Sequence, residues 1–390
     1  MDRIRACLYL SVFVIMGLSD AVIPILPELS NNVAMDQSML FSAYFAGALV
    51  TMIPFGILAD RYGHPPFIAL SIALTVAAGL LIICFDTFSI LACARFMEGC
   101  ACGAFFPAAV SILAEFENQR QYIGEFNFLL NLGLAMGVAI AAALKCHYLK
   151  AGILVFAALA LPALALSVSL ARSPRSHPHS HSSARTHTHT PETPETPTTH
   201  NAGIGQEIAR ILPIVFDARY LRIWVTSFVL FGGTGVLVAY FPSFANSMQL
   251  TPFIQGLALS GVYFGTMVTS LIGGRARIEE GRMIRMGALI TGAGIMITVY
   301  HPFGLTIMGA GSGFALVGLV SGVASLGSNR GMAMGVFNTF TYAGFALLPV
   351  FAAALLESLD LDYTAIFWVT GVAVGALAVF SLRFSSAESR

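Results

Sequence analysis

Three ionisable residues, Asp20, Arg95 and Glu98, stand inside long apolar stretches of the chain. Arg95 and Glu98 are three residues apart, so a helix would place them on one face. Because an ionisable group inside a membrane is costly, each is a candidate functional residue. A buried carboxyl group beside an arginine can bind and release a proton when the arginine changes partner. The same residues could instead form a fixed ion-pair network, and the sequence leaves both interpretations open.

Amide and aromatic side chains supply a second group of candidates. Asn127 and Asn131 are four residues apart and so share a helical face. The C-terminal half has no acidic residue deep inside its apolar stretches and offers Asn338, Tyr342 and Tyr263 instead. A central cavity with one ionisable wall and one aromatic wall favours an amphipathic or aromatic small molecule over a sugar, which needs many hydrogen-bonding side chains. The aromatic residues could equally face lipid.

The composition indicates which elements carry these residues. Of the 390 residues, 57% are hydrophobic and 10% are charged, whereas a soluble domain has about a quarter of its residues charged. Basic and acidic residues number 20 each, which gives no support to nucleic-acid binding. Because about 20 apolar residues cross a membrane as a helix, the sequence predicts an all-α polytopic membrane protein with twelve transmembrane helices. The predicted spans are 6–27, 38–58, 67–85, 89–113, 123–144, 151–171, 222–244, 253–273, 283–300, 304–326, 332–356 and 363–383.

The basic residues predict the orientation of these spans. With the N-terminus in the cytoplasm, seventeen of the 20 Lys and Arg residues lie on the cytoplasmic side. Only Lys145 and Lys150 fall outside, and Arg95 lies within a span. This asymmetry predicts a multi-pass protein of the inner (plasma) membrane, surrounded by lipid, with both termini in the cytoplasm.

Two stretches of the first half recur in the second. "GILADRYGHPPFIAL" aligns with "GRARIEEGRMIRMGAL", and "GEFNFLLNLG" aligns with "GVFNTFTYAG". The aligned pairs are Gly56 and Gly274, Gly63 and Gly281, Gly124 and Gly335, Asn127 and Asn338, and Gly133 and Gly344. Such repeats at equivalent helices predict two pseudo-symmetric six-helix bundles with a site between them.

A polar segment separates the two bundles. The predicted domains are an N-terminal bundle at 1–172, a disordered linker rich in His, Ser, Thr and Pro at 173–202, a cytoplasmic amphipathic helix at 203–220 and a C-terminal bundle at 221–390. Apart from prolines, the linker has one apolar side chain, Ala184, and so cannot form a core. Five of its histidines are candidate ligands for a loosely bound divalent metal: His177, His179, His181, His187 and His189. The topology keeps the linker away from the central cavity.

The stretch "GILADRYG" is predicted to form the short cytoplasmic loop between the second and third spans. It resembles the loop motif of the major facilitator superfamily: Gly56, Asp60, Arg61 and Gly63 match, and His64 and Pro65 depart where the motif has two basic residues. "RFMEGCACGA" is similar to the family's Arg-x-x-Gln-Gly pattern. The resemblance implies a twelve-helix transporter that works by alternating access. We expect Asp60 to act as a latch that pairs with a helix end in one conformation and releases it in another.

The direction of transport and the energy source are also predicted. "GLAMGVAIAA" resembles the family's antiporter motif without its proline, and "PILP" resembles drug-efflux members. Neither an ATPase motif nor a nucleophile–base set is present, so the chain is predicted to be no enzyme and to need no cofactor. The favoured interpretation is proton-coupled efflux of a small amphipathic molecule, as in drug:proton antiporters. The alternative is a transporter of a metal ion, a metal chelate or a small organic acid.

Overall fold

Helices make up the described part of the chain, which in this computed structural model comprises residues 2–172, 218–276, 278–325 and 330–380. No β-strand occurs in those ranges. The helices are α1 (Asp2–Ala21), α2 (Ala34–Tyr62), α3 (Pro65–Cys84), α4 (Phe88–Ala114), α5 (Gln119–Leu144), α6 (Ala151–Ala171), α7 (Ala218–Ser247), α8 (Pro252–Arg275), α9 (Glu280–Thr298), α10 (Gly304–Ser325), α11 (Arg330–Ser358) and α12 (Tyr363–Phe380). A 3-10 turn at Ile23–Ile25 and a helical turn at Leu26–Leu29 extend α1. Each predicted span overlaps one of these helices, which confirms the all-α membrane fold.

Length and composition fit a membrane-spanning bundle. Ten helices of the described ranges are long and apolar enough to cross a bilayer. The two others are the shortest: α12 is apolar but has 18 residues, and α9 has 19 residues and begins with charged side chains. At the other extreme, the 29 residues of α2 extend over about 43 Å, well beyond the roughly 30 Å of hydrocarbon. The ends of α2 therefore project past the apolar layer.

The helices pair in the same way in both halves of the molecule. In the first half α1 packs on α5 and α6, α2 on α4, and α3 on α4 and α6. In the second half α7 packs on α11 and α12, α8 on α10, and α9 on α10 and α12. The two bundles then meet along two matched seams, α2 with α11 and α8 with α5. This pairing is the pseudo-symmetry that the sequence repeats predict.

The predicted loop "GILADRYG" is for the most part a helix. Gly56, Asp60 and Arg61 lie in the last turns of α2, and only Gly63 and His64 separate α2 from α3. Isoleucine, leucine and alanine allow the helix to continue. It ends where Gly63 adopts φ 91° and ψ 152°, a backbone region that is essentially restricted to glycine. The prediction of a loop from Gly56 onwards is therefore wrong.

Alternating helix directions give the bundle two ends. We call the end with the start of α1 and the α2–α3 connection the terminal end, and the end with the α1–α2 and α7–α8 connections the distal end. The predicted linker 173–202 lies outside the described residues, as does 203–217 of the predicted amphipathic helix. Residues 218–220, assigned to that helix, are the first residues of α7.

Candidate functional site

Arg95 is buried in α4 with 2% of its surface exposed. Its guanidinium pairs with the Glu98 carboxylate one turn further along α4. Its Nη1 donates to the carbonyl oxygen of Ser19 on α1 at 3.0 Å, and its Nε donates to the carbonyl oxygen of Leu40 on α2 at 3.3 Å. The guanidinium carbon also lies 5.0 Å from the ring centre of Tyr44. One cation thus links three helices of the N-terminal bundle, and the predicted proximity of Arg95 and Glu98 is observed.

A close backbone approach between α2 and α4 positions this arginine. A Cβ atom on Gly99 would collide with the carbonyl oxygen of Tyr44, and one on Gly47 with the carbonyl oxygen of Phe96. The two helices touch backbone to backbone at these glycines. Arg95, one turn before Gly99, therefore reaches across to Tyr44 without leaving the bundle interior.

Asp20 completes the buried cluster from α1. It is 7% exposed. Arg95 donates to the carbonyl oxygen of Ser19, the residue directly before Asp20 on α1. One oxygen of Asp20 and one of Glu98 are buried with no hydrogen-bond partner among the described residues. The cluster therefore holds one paired arginine and two buried carboxyl groups, each with an oxygen that could accept a further hydrogen bond.

An aromatic group lies beside this cluster at the seam between the bundles. Phe45 of α2 stacks on Phe345 of α11, with ring centres 4.6 Å apart, and lies 6.0 Å from Tyr342. Phe41 and Phe231 extend the group on either side, at 5.0 Å from Phe45 and 6.0 Å from Phe345. These rings face one another across the seam, so the alternative in which they face lipid does not hold for them.

The predicted asparagines lie nearer the terminal end than the charged cluster. The side-chain amides of Asn127 and Asn131 donate to carbonyl oxygens of α5 itself, those of Ile123 and Asn127, each at 2.9 Å. Asn127 is exposed, and Asn338 of α11 is half-buried. None of the three has a described contact with Asp20, Arg95 or Glu98. They are the predicted site residues that the structure does not bring into the cluster.

The bundles are closed against each other toward the distal end. Gln37 of α2 is fully buried, and its Nε2 donates to the carbonyl oxygen of Ala239 on α7 at 2.6 Å. Its Oε1 accepts from the hydroxyl of Ser243 at 2.7 Å. On the other seam, the hydroxyl of Ser260 on α8 donates to the carbonyl oxygen of Ala135 on α5 at 2.8 Å. Buried hydrogen bonds therefore join the two bundles in both places, from α2 to α7 and from α8 to α5.

The same helices diverge toward the terminal end. Gly124 of α5, Gly274 of α8 and Gly335 of α11 would each carry a Cβ atom with no other group within 4 Å. The distal part of α5 and α8 is tight by contrast, because a Cβ on Gly256 would lie 2.5 Å from that of Ala142. In the described ranges, the hydrogen bonds between the bundles therefore lie on the distal side and at mid-height, and none lies at the terminal end.

The predicted latch residues lie at the terminal end. Asp60 and Arg61 are exposed, and the Arg61 guanidinium carbon lies 5.6 Å from the ring centre of Tyr62. Asp60 has no ion pair or hydrogen bond from its side chain within the described ranges. The histidines of the linker lie outside those ranges, and within them no group of three His, Cys, Asp or Glu residues could hold a metal.

Sequence reasoning missed several residues of the site. Tyr44 and Cys102, whose hydroxyl and Sγ lie 2.8 Å apart, are deep in the cluster. For Gln37 a signal existed: it stands 218 positions before Gln255, the same interval that separates Gly56 from Gly274. Buried glutamines at equivalent places in a repeat indicate a structural position.

Comparison with known proteins identifies the fold and the family. The chain matches the family model described as Major Facilitator Superfamily over residues 8–254 and 223–389. It is 28% identical over 124 residues to multidrug resistance protein MdtL of Klebsiella pneumoniae, which is 31% of this chain and 32% of that protein. It is 28% identical over 139 residues to quinolone resistance protein NorA of Staphylococcus aureus, which is 34% and 36% of the two chains. Both alignments span about a third of these relatives.

Among solved structures, the nucleoside transporter NupG superposes with a TM-score of 0.74 at 13% identity, covering 97% of this chain and 99% of that one. At that identity the likeness concerns the fold alone. The family model, in contrast, matches nearly the whole sequence. The chain is therefore a multi-pass membrane transporter that belongs to the major facilitator superfamily.

Proposed function

We propose that this transporter exports a small amphipathic molecule in exchange for protons. The terminal end would face the cytoplasm of a cell whose inner membrane holds the protein, with both chain termini on that side. The arrangement of the bundles is then the cytoplasm-open stage of an alternating-access cycle. Rocking of the bundles about the two seams would close the terminal end and open the distal one.

The observation that carries the proposal is the buried cluster of Asp20, Arg95 and Glu98 at the meeting place of the bundles. Arg95 pairs with Glu98 and donates to the Ser19 carbonyl next to Asp20, and each carboxyl retains a buried oxygen without a partner in the described part of the chain. A proton on either carboxyl removes a buried charge. Movement of Arg95 between its partners would decide which carboxyl holds the proton.

The aromatic group beside the cluster supports an amphipathic substrate. The rings of Phe45, Phe345 and Tyr342 offer flat apolar surfaces within reach of the charged residues. A molecule with a planar apolar part and a polar part can stack on the rings and meet the ionisable wall together. The names of MdtL and NorA refer to multidrug and quinolone resistance, which agrees with export of such molecules.

The latch fits the same cycle. Asp60 is exposed at the open terminal end, next to the C-terminal end of α2. A carboxylate is disfavoured there by the helix dipole, which makes a positive helix end of the opposite bundle an attractive partner. Closure of the terminal end would bring the bundles together at this level and form that pair. Gly56, Arg61 and Gly63 would shape the end of α2 that presents the carboxylate.

We also propose that residues 173–202 join the two bundles and take no part in transport itself. Deletion of 177–200 should then leave drug resistance, metal sensitivity and flux at wild-type levels. A loss of zinc, nickel or copper tolerance with intact drug export would instead assign the histidines a role in metal handling.

The decisive experiment measures transport by the full chain in liposomes with an imposed pH gradient. Proton-driven flux of a fluorescent amphipathic drug should be abolished by Asp20→Asn and reduced at least tenfold by Glu98→Gln. Asp86→Asn is a matched control, because it removes a carboxylate on the exposed α3–α4 connection. Full proton-driven flux in both Asp20→Asn and Glu98→Gln would refute the coupling site. Flux that ignores the pH gradient in the wild-type protein would refute proton coupling itself.

A further inference from the structure

We infer that Tyr44 of α2 is the positioning residue through which a molecule bound at the aromatic group changes the partner of Arg95. The inference rests on the proposed function, in which that molecule is the substrate and Arg95 moves between carboxyl groups. It adds the physical link between the substrate site and the charged cluster. No motif of the sequence singles out Tyr44, and its importance follows from the side chains that it contacts.

Tyr44 covers the guanidinium of Arg95 inside the N-terminal bundle. The guanidinium carbon lies 5.0 Å from the centre of the Tyr44 ring, and the two residues are only 2% and 7% exposed. Cation–π attraction is strongest where water is excluded from both partners. The other described contacts of Arg95 are with the Glu98 carboxylate and with two backbone carbonyl oxygens. Among the described residues, Tyr44 is therefore one of two side chains that hold Arg95 in place.

The same ring touches the aromatic group at the seam between the bundles. The centre of the Phe45 ring lies 4.9 Å from that of Tyr44, and the two planes meet at 89°, which is an edge-to-face contact. Phe45 in turn stacks on Phe345 of the opposite bundle, with the planes 11° apart. Tyr44 therefore joins the buried cation to the rings by direct contact on both.

A planar molecule cannot enter this stack without moving Phe45. Two rings that sandwich such a molecule need centres about 7 Å apart, twice the roughly 3.5 Å contact distance between carbon atoms. The ring centres of Phe45 and Phe345 are 4.6 Å apart. Because Phe45 follows Tyr44 in α2 and contacts its ring, displacement of Phe45 also moves Tyr44 relative to Arg95. The attraction that keeps Arg95 beside Glu98 is then weaker while the site is occupied.

The helix crossing itself does not require an aromatic ring at this position. Tyr44 stands 218 positions before Val262, the interval between the repeats of α2 and α8. A Cβ atom on Gly309 would collide with the carbonyl oxygen of Val262, as one on Gly99 would with that of Tyr44. Valine thus makes the same backbone contact in the C-terminal bundle, where the counterpart of the arginine is the fully buried Leu305. The ring occurs in the bundle that holds the cation, which supports a role toward the arginine.

The test compares pH-driven accumulation with downhill flux for the full chain in liposomes. Tyr44→Val removes the ring and introduces the residue of the other bundle. It should lower the steady-state accumulation of a fluorescent planar amphipathic drug about tenfold, the effect of losing about 1.4 kcal/mol of attraction on Arg95. Downhill flux of the same drug without a pH gradient should stay close to that of the wild-type protein, because the rings that bind the drug are intact.

Two further variants separate the ring from its hydroxyl and from general packing. Tyr44→Phe keeps the ring and removes only the hydroxyl, which lies 2.8 Å from the Cys102 Sγ, and should accumulate the drug as the wild-type protein does. Tyr122→Val is the matched control, because Tyr122 is also buried in the N-terminal bundle and lies 4.8 Å from the guanidinium carbon of Arg5 at the terminal end. It should leave accumulation unchanged.

The possible outcomes distinguish this inference from the proposed function. Wild-type accumulation in Tyr44→Val would overturn the inference, and so would a Tyr44→Phe variant as defective as Tyr44→Val. An equal loss of accumulation and downhill flux, or the same loss in Tyr122→Val, would also overturn it, because Tyr44 would then only support the structure. A wild-type protein that fails to accumulate the drug on a pH gradient, or an Asp20→Asn variant that still does so fully, would refute the proposed coupling and this inference with it.

Discussion

Gly99 of α4 and Gly309 of α10 occupy the same place in the two bundles. A Cβ on Gly99 would collide with the carbonyl oxygen of Tyr44, and one on Gly309 with that of Val262. Likewise Gly133 packs on the backbone at Phe13, and Gly344 packs on the backbone at Phe228. The repeat therefore preserves backbone contacts, which requires small residues at these helix crossings.

The side chains carried on this common scaffold differ. Counting back from Gly99 and Gly309, Arg95 corresponds to Leu305 and Glu98 to Met308, and both of the latter are fully buried. Counting on from Phe13 and Phe228, Asp20 corresponds to Gly235. The N-terminal bundle thus holds the ionisable cluster where the C-terminal bundle holds an apolar core. The comparison indicates that the same helix packing can hold either ionisable or apolar side chains in this molecule.

The largest effect on stability is expected when α4 receives the residues of α10. Arg95→Leu alone leaves Glu98 buried without its partner and should cost about 3–5 kcal/mol of stability. Adding Glu98→Met, as in the counterpart, should restore most of that loss, because a buried ion pair can often be replaced by apolar residues at little cost. Thermal unfolding in detergent measures both variants, and a double variant no more stable than the single one would show that the scaffold depends on the ion pair.

The next test concerns the scaffold itself. Gly99→Ala and Gly309→Ala each place a methyl group against backbone, so each should destabilise its bundle by about 1–3 kcal/mol. Gly124→Ala and Gly335→Ala are matched controls, since nothing lies within 4 Å of either Cβ position. They should be neutral or slightly stabilising, because alanine favours helix. Comparable losses at Gly99 and Gly124 would contradict a role for close packing.

A third test compares the hydrogen bonds that Gln37 and its counterpart Gln255 make at the distal end. Gln37 makes two hydrogen bonds to α7, whereas its counterpart Gln255 is buried with its Nε2 unpartnered among the described residues. Counting on from Phe13 and Phe228, Pro24 and Glu28 are the equivalents of Ala239 and Ser243. Both are bound by Lys145 instead of Gln255, because the Lys145 Nζ reaches the Pro24 carbonyl at 3.1 Å and Glu28 at 2.8 Å.

Gln37→Leu should therefore favour distal opening by about 2 kcal/mol, the sum of two neutral hydrogen bonds. Gln255→Leu should leave the equilibrium unchanged or shift it slightly toward closure, because it removes a buried polar group without a partner. The distance between spin labels at Tyr148→Cys and Tyr300→Cys, both exposed at the distal end in opposite bundles, reports both. An equal shift in the two variants would mean that the seams are energetically alike.

Much of this organisation could be predicted from the sequence, for physical reasons. A charge inside an apolar run is rare, so Asp20, Arg95 and Glu98 stood out, and their helical spacing predicted the Arg95–Glu98 pair. Contacts between bundles carry no such local pattern. Phe45 is one of 30 phenylalanines, and nothing in its neighbourhood shows that it stacks on Phe345. The end of α2 was misjudged because the glycine motif suggested a turn, although only Gly63 has a backbone angle that requires glycine.

The smallest effect is expected at that same glycine, where the two halves differ in backbone conformation at their terminal end. Gly63 has φ 91° between helices, while its repeat partner Gly281 is the second residue of α9. Gly63→Ala should cost about 1 kcal/mol or more, because alanine is strained at that angle. Gly281→Ala should gain up to about 1 kcal/mol, because alanine is the better helix former. Unfolding midpoints of the two variants, measured side by side, should move in opposite directions. A shift of the same sign in both would mean that the α2–α3 and α8–α9 connections share one backbone conformation. The structural repeat would then include these connections as well as the helices.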